Sequence, residues 1–281
     1  LGTETREFVV EISRILSTNQ TLTDLSLVCV GVYVVELGQL LAEGFMTNST
    51  LTNLDLSHNV FDAGFLAVLA EGFMSNTTLT NLNLIGDQIH REDLAVLSNW
   101  LTSTSCSLTS LNLRENSLRG DDEATAMTDI IKMSVSLQEL HLDAIELNGA
   151  AGREMAEALG SNTALTYLDL DLSNFLLEGC TELARGLKKN KGLIRLSLPR
   201  SAYSPDCLPL LEDVLRDNGR LLILEENGTA ISGSRMHFLR RRLDQNATLR
   251  FYTIPTIAKC RFHLDGNEVP CDLKQLIINF I

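Results

Sequence analysis

Leucines recur along the chain in one pattern, Leu-x-x-Leu-x-Leu, with polar residues between them. The motif opens at Leu22, Leu51, Leu79, Leu108, Leu137, Leu165 and Leu193, and weaker copies open at Leu221 (LLILEE) and Leu249 (LRFYTI). Successive openings lie 29, 28, 29, 29, 28, 28, 28 and 28 residues apart, which marks an internal repeat. In LTNLDLSHN, Leu54 and Leu56 alternate with Asn53, Asp55 and Ser57, the period-two signature of a short strand with one face inward. In the second half of that repeat, Phe65, Leu66, Leu69 and Phe73 share a face at helical spacing. One strand and one helix cannot bury both apolar faces alone. Stacked copies can, with parallel strands forming a curved sheet and helices outside it. The expected fold class is therefore α/β, a horseshoe-shaped solenoid with a concave parallel sheet and convex helices.

Two further columns fix the register. Three residues before the opening leucines stand Asn19, Asn48, Asn76, Asn162, Asn190, Asn218 and Asn246, with Ser105 and Ser134 in the two remaining places. Asparagine tolerates the left-handed conformation that ends a helix, so this column predicts C-caps. Ten residues after each opening leucine the chain is apolar from Val32 to Ile231, and the column breaks at Lys259. Three regions follow. Residues 1–21 form an N-terminal helix, a cap or half repeat, with Phe8, Ile12, Ile15 and Leu16 on one face. Residues 22–258 hold about nine repeats. Residues 259–281 form a closing hairpin around Asp265-Gly266 and a helix with Leu273, Leu276, Ile277 and Phe280 on one face. The opening LGTETREFVV has neither a Met nor a signal-peptide layout and reads as the start of a fragment.

These residues resemble the leucine-rich repeat family, over roughly residues 5–258, and the 28–29 residue period resembles its ribonuclease-inhibitor-like subclass. The resemblance implies a full helix on the convex side of each repeat. It also implies an Asn or Cys at the ninth position that bonds backbone in the loop after the strand. Here that column reads Val30, Asn59, Asp87, Asn116, Ile145, Ser173, Ser201, Thr229 and Ile257. The apolar members cannot make such bonds, so irregular loops and a change of curvature are expected near residue 145.

Charge changes the picture next. The chain carries 23 basic and 36 acidic residues, a net −13, which argues against a general nucleic-acid binder. Residues 1–140 hold 18 acidic and 6 basic residues, and residues 141–281 hold 18 and 17. A basic protein partner would be steered to the first half. No apolar run is long enough to suggest a membrane span.

Chemical motifs are sparse. Cys29, Cys106, Cys180, Cys207, Cys260 and Cys271 form no zinc spacing, and no cysteine cluster flanks the N-terminal end, which points to a reducing, cytoplasmic setting. Cys180 and Cys207 fall at nearly the same place in adjacent repeats and read as small apolar side chains facing the helix layer. Cys260 and Cys271 stand where a bridge across the hairpin could form. Sequons at Asn19, Asn48, Asn76, Asn227 and Asn246 are mostly a by-product of the repeat. No histidine sits in a metal or triad motif, no phosphate-binding loop occurs, and no cofactor or catalytic residue is expected.

The outward strand positions offer the best site. Up to residue 112 they are small and polar. From there the face gains Glu139, His141, Asp143, Tyr167, Asp169, Asp171 and Arg195, and an exposed Tyr167 among carboxylates and Arg195 resembles an interface hot spot. The expected function is a non-catalytic scaffold that binds a protein through residues 139–200 of the concave face. The junctions NSTLTNLDL and NTTLTNLNL resemble repeat proteins that intracellular bacteria deliver into a host cytosol. Two alternatives stand beside this. One is a GTPase-activating protein resembling those of the Ran GTPase, with Arg114 or Arg119 as its loop arginine. The other is the recognition part of a longer enzyme.

Overall fold

The computed structural model describes residues 3–230, apart from 31–33, 117, 119–120, 143–145, 148, 172, 176 and 227–228, and beyond them residues 239, 241, 243 and 244. The closing hairpin and helix expected at 259–281, and the ninth repeat from Leu249, lie outside the described residues.

Helix and strand alternate as the leucine pattern requires. In chain order the elements are α1 (Thr3–Thr18), β1 (Asp24–Ser26), α2 (Val35–Thr47), β2 (Asn53–Asp55), α3 (Phe65–Ser75), β3 (Asn81–Asn83), α4 (Arg91–Leu101), β4 (Ser110–Asn112), α5 (Asp121–Met133), β5 (Glu139–His141), β6 (Glu146–Leu147), α6 (Gly149–Ser161), β7 (Tyr167–Asp169), β8 (Asn174–Phe175), α7 (Leu177–Lys189), β9 (Arg195–Leu198), a 3-10 turn (Arg200–Tyr203), α8 (Leu208–Asp217), β10 (Ile223–Glu226) and β11 (Thr229–Ala230). Eight strands pair in parallel and in repeat register, β1-β2-β3-β4-β5-β7-β9-β10, so that Leu25, Leu54, Leu82, Leu111, Leu140, Leu168, Leu196 and Leu224 lie side by side. This is an α/β leucine-rich repeat solenoid. Beyond β10 the sheet continues with β11, which runs antiparallel.

The core lies between the sheet and the helix layer: the strand leucines from Leu54 to Leu224 and the helix residues Phe65, Leu66, Leu69 and Phe73 are buried, and Leu25 at the sheet's first edge is partly so. Aromatic rings continue from repeat to repeat. Phe45, Phe73 and Trp100, from α2, α3 and α4, stand 5.3 and 4.8 Å apart between ring centroids. Helix spacing depends on small residues: a Cβ added to Gly72 would lie 2.7 Å from the backbone of Ala42.

The asparagine column does something other than what its sequence suggested. Asn48, Asn76 and Asn218 adopt extended backbone (φ −73, −85 and −100), not the left-handed cap conformation. They are buried and act through their side chains. Asn190 Nδ2 donates to the carbonyls of Leu159 and Asn162 one repeat back, at 2.6 and 3.1 Å, while its Oδ1 accepts from the N–H groups of Gly192 and Leu193. Asn48, Asn76, Asn162 and Asn218 repeat the arrangement. The column is a hydrogen-bonded ladder that ties each repeat to its predecessor. Burial away from water favours this, because the loop carbonyls would otherwise be orphaned.

A second ladder runs along the ninth position, as the family resemblance implies. Asn59 Nδ2 donates to the carbonyl of Leu27 (2.8 Å), and Asn116 Nδ2 donates to that of Leu84 (2.7 Å). The residues just before, Cys29, His58, Gly86 and Glu115, all have positive φ. Val60 also has φ +53, an unfavourable conformation for a β-branched residue. Past the fifth strand of the main sheet, β6 and β8 form a separate two-stranded parallel sheet. Residue 145 itself lies outside the described residues.

Candidate functional site

The concave face has two unlike halves. Strands β1 to β4 present Asp24, Ser26, Asn53, Asp55, Asn81, Asn83, Ser110 and Asn112, which with His141 line an open trough of about 410 Å³. Their hydrogen bonds run only to the next strand or to adjacent residues and leave the trough open. Asn53 Nδ2 donates to Asp24 Oδ1 at 2.6 Å, and Ser57 donates to Asp55 Oδ1 from both its N–H and its hydroxyl.

The second half is knitted together around Asp169, which is fully buried. The Arg114 guanidinium bonds Asp169 Oδ2 and stands 3.6 Å from Asp171. His141 Nδ1 is 3.2 Å from the same Asp169 oxygen, and the Tyr167 hydroxyl donates to it at 3.4 Å. Ser197 Oγ donates to Asp171 Oδ1 at 2.8 Å. Burial alone would raise the Asp169 carboxyl, but His141, the Asp171 N–H and Arg114 outweigh it and hold the group below the usual carboxylate range. Burial, reinforced by the Asp169 charge, pushes the Tyr167 phenol up, so it stays a donor. Arg195 lies over the Tyr167 ring, 4.2 Å from its centroid, and pairs with Glu225 at 2.9 Å. The His141 ring meets Tyr167 edge-on at 5.0 Å.

Of the residues singled out in the sequence, His141, Tyr167, Asp169, Asp171 and Arg195 come together in this cluster. Glu139 stays exposed on its edge, and Asp143 lies outside the described residues. Tyr167 departs from expectation: it is 8% exposed, covered by Arg195 and His141, and is a packing residue rather than an exposed anchor. The groups that reach solvent are Arg195, 41% exposed, Arg114, 35%, and His141, 21%. Arg114, expected as a free loop arginine, turns inward to two aspartates. Arg119 lies outside the described residues.

Sequence reasoning left Arg114, Ser197 and Glu225 out of the site. The signal was available in the repeat register. Arg114 lies one outward position beyond the His141 and Asp169 column, so its long side chain can cross a neighbouring repeat to reach Asp169.

Among the described residues no group of His, Cys, Asp or Glu is arranged to hold a metal ion, and no helix is long and apolar enough to cross a membrane. No family model and no curated protein matches the chain. Among solved structures it is similar to the leucine-rich repeat-containing protein LegL7 of Legionella pneumophila, at 19% identity over 83% of this chain and 94% of that one, TM-score 0.42. It is also similar to the actin-binding site 2 of leiomodin-1, at 13% identity over 88% and 92% of the two chains, TM-score 0.24.

Proposed function

We propose that this protein is a non-catalytic, ribonuclease-inhibitor-like scaffold that binds a protein partner along its concave face. The observation that supports it most is the contrast between the two halves of that face. Asp24, Asp55 and the asparagines of β2 to β4 line an open trough, while the neighbouring half is held rigid by its own ion pairs. Exposed amides and carboxylates suit a partner rich in N–H donors and positive charge, and the acidic first half of the chain steers such a partner inward. Glu139, His141, Asp143, Tyr167, Asp169, Asp171 and Arg195 form the second contact zone. In it Arg195 and His141 touch the partner, and Tyr167, Asp169 and Asp171 hold them in place. The setting is a cytosol, and the junction sequences suit an effector delivered into a host cell.

The test is a pull-down from eukaryotic cytosol with mass spectrometry, repeated with two double variants. One is Arg195→Ala with His141→Ala, and the other is Asp24→Lys with Asn81→Lys. The expected result is a partner whose affinity falls about tenfold or more in each double variant, the cost of losing a central polar contact. A partner bound equally well by the wild type and both variants would place the interface elsewhere and refute the proposal.

A further inference from the structure

Cys180 and Cys207 are buried, 7% and 3% exposed, and their sulfur atoms stand 2.6 Å apart. That is about half an ångström longer than the roughly 2.05 Å of a disulfide bond. The sequence puts them there. Cys180 lies in the first turns of α7, at the repeat position that Leu37, Leu66 and Leu94 fill in earlier repeats, and all three are buried. Cys207 is the N-cap of α8 in the following repeat. Both thiols face a small apolar pocket lined by Leu183, Leu198, Ala202, Leu210 and Leu211. Where those repeats place a leucine, Cys180 is shorter, and two thiols meet across the seam between adjacent repeats.

We propose that Cys180 and Cys207 are a modification site: a thiol pair that a disulfide oxidant such as oxidised glutathione converts to a cross-link between α7 and α8. The exchange balances in two steps. The thiolate of one cysteine attacks glutathione disulfide, its S–S bond breaks, and one glutathione thiolate leaves. The second cysteine then attacks the mixed disulfide, releasing the second glutathione as the Cys180–Cys207 bond forms. Two protein thiols lose two electrons and two protons, and one glutathione disulfide gains them and becomes two glutathione thiols. Burial and the neighbouring thiol both push the Cys180 thiol above its ordinary range, so the reactive thiolate is scarce while the pocket stays closed. Oxidation therefore waits on opening of α8, and the finished bond is shielded from reductants by the same pocket. The cross-link fixes the angle between the repeats that carry Tyr167 and Arg195, inside the knitted half of the concave face.

The experiment uses the full 281-residue chain with Cys29, Cys106, Cys260 and Cys271 replaced by Ser. It is incubated in glutathione buffers of graded redox ratio, both as native protein and during refolding from denaturant, then alkylated and mapped by non-reducing peptide mass spectrometry. The expected result is a peptide joining Cys180 to Cys207. A rise of roughly 5–10 °C in the thermal midpoint should accompany it, because the cross-link closes a loop of about one repeat. Cys180→Ala with Cys207→Ala should remove both effects while retaining the reduced protein's fold. Free thiols at both positions after refolding in the most oxidising buffer would overturn the proposal, as would a cross-link that leaves the midpoint unmoved or lowers it.

Discussion

Asp87 interrupts the ninth-position ladder. Its neighbours in the column, Asn59 and Asn116, each present an Nδ2 that donates to a carbonyl one repeat back. Asp87 keeps the acceptor half of that role, since its Oδ1 accepts from the N–H of Asn59 at 2.6 Å. Its Oδ2, however, stands where the register places an amide donor, and it is buried with no partner. Burial drives the carboxyl from its ordinary 3.8 to about 7, against the pull of the Asn59 and Val60 N–H groups. Each tenfold in proton affinity is worth about 1.36 kcal/mol, so the displacement corresponds to about 4 kcal/mol. Because the folded-state value is raised, the native state takes up the proton more readily than the unfolded chain. The stability this confers is intact below pH 3.8 and is lost as pH rises through about 7. Asp87→Asn supplies the missing donor without a charge. It should be stabilising by about 2 kcal/mol at pH 5.5 and about 4 kcal/mol at pH 8, levelling off above the folded-state value. Urea unfolding at both pH values, followed by the fluorescence of Trp100 in the same repeat, measures this directly. An advantage that is the same at the two pH values, or a destabilised variant, would refute the reasoning.

Two other predictions concern the same loops and ladder. Val60→Asn replaces a branched residue at φ +53 with one that tolerates the left-handed region, and should raise stability by about 1 kcal/mol in denaturant titration; no change would mean that the backbone there relaxes. Asn190→Ala removes four buried hydrogen bonds from the first ladder and should cost about 3 kcal/mol or more; a cost under about 1 kcal/mol would show that water replaces the rung.

The backbone plan was legible in the leucines alone, because a fixed interval admits one register and a two-layer repeat admits one way to bury it. The asparagines were legible as a column but not as a ladder. Their preference for caps is local, whereas the carbonyls they satisfy lie one repeat away and become orphans only once the repeats stack. Tyr167 shows a related limit. Alternation along a strand says which face a side chain leaves by, but not what then covers it. Here Arg195, in the adjacent strand, is long enough to lie over the ring. Arg114 was hidden for the same reason: its partner Asp169 is 55 residues away and two repeats along. The short side chains of β1 to β4 reach no farther than the next strand, as Asn53 does to Asp24, and for them the sequence and the structure tell the same story.

The two ladders do not run the length of the molecule. Ser105 keeps one bond of the first, from its hydroxyl to the carbonyl of Met74, while the Ser134 hydroxyl accepts from the N–H of Leu137 within its own junction. The second ladder is described from Asn59 to Asn116. In a quasi-one-dimensional array, cooperativity is only as strong as its weakest coupling between neighbours. The rung at Ser134 makes no bond back to the Ser105 junction, so the coupling of these two repeats through the first ladder is its weakest. On the concave side, the ion pair from Arg114 to Asp169 spans the repeats of β4, β5 and β7 on the far side of that junction. A ligand that competed for Arg114 would release this brace over three strands, so the curvature of that stretch of the horseshoe becomes a quantity that binding can set.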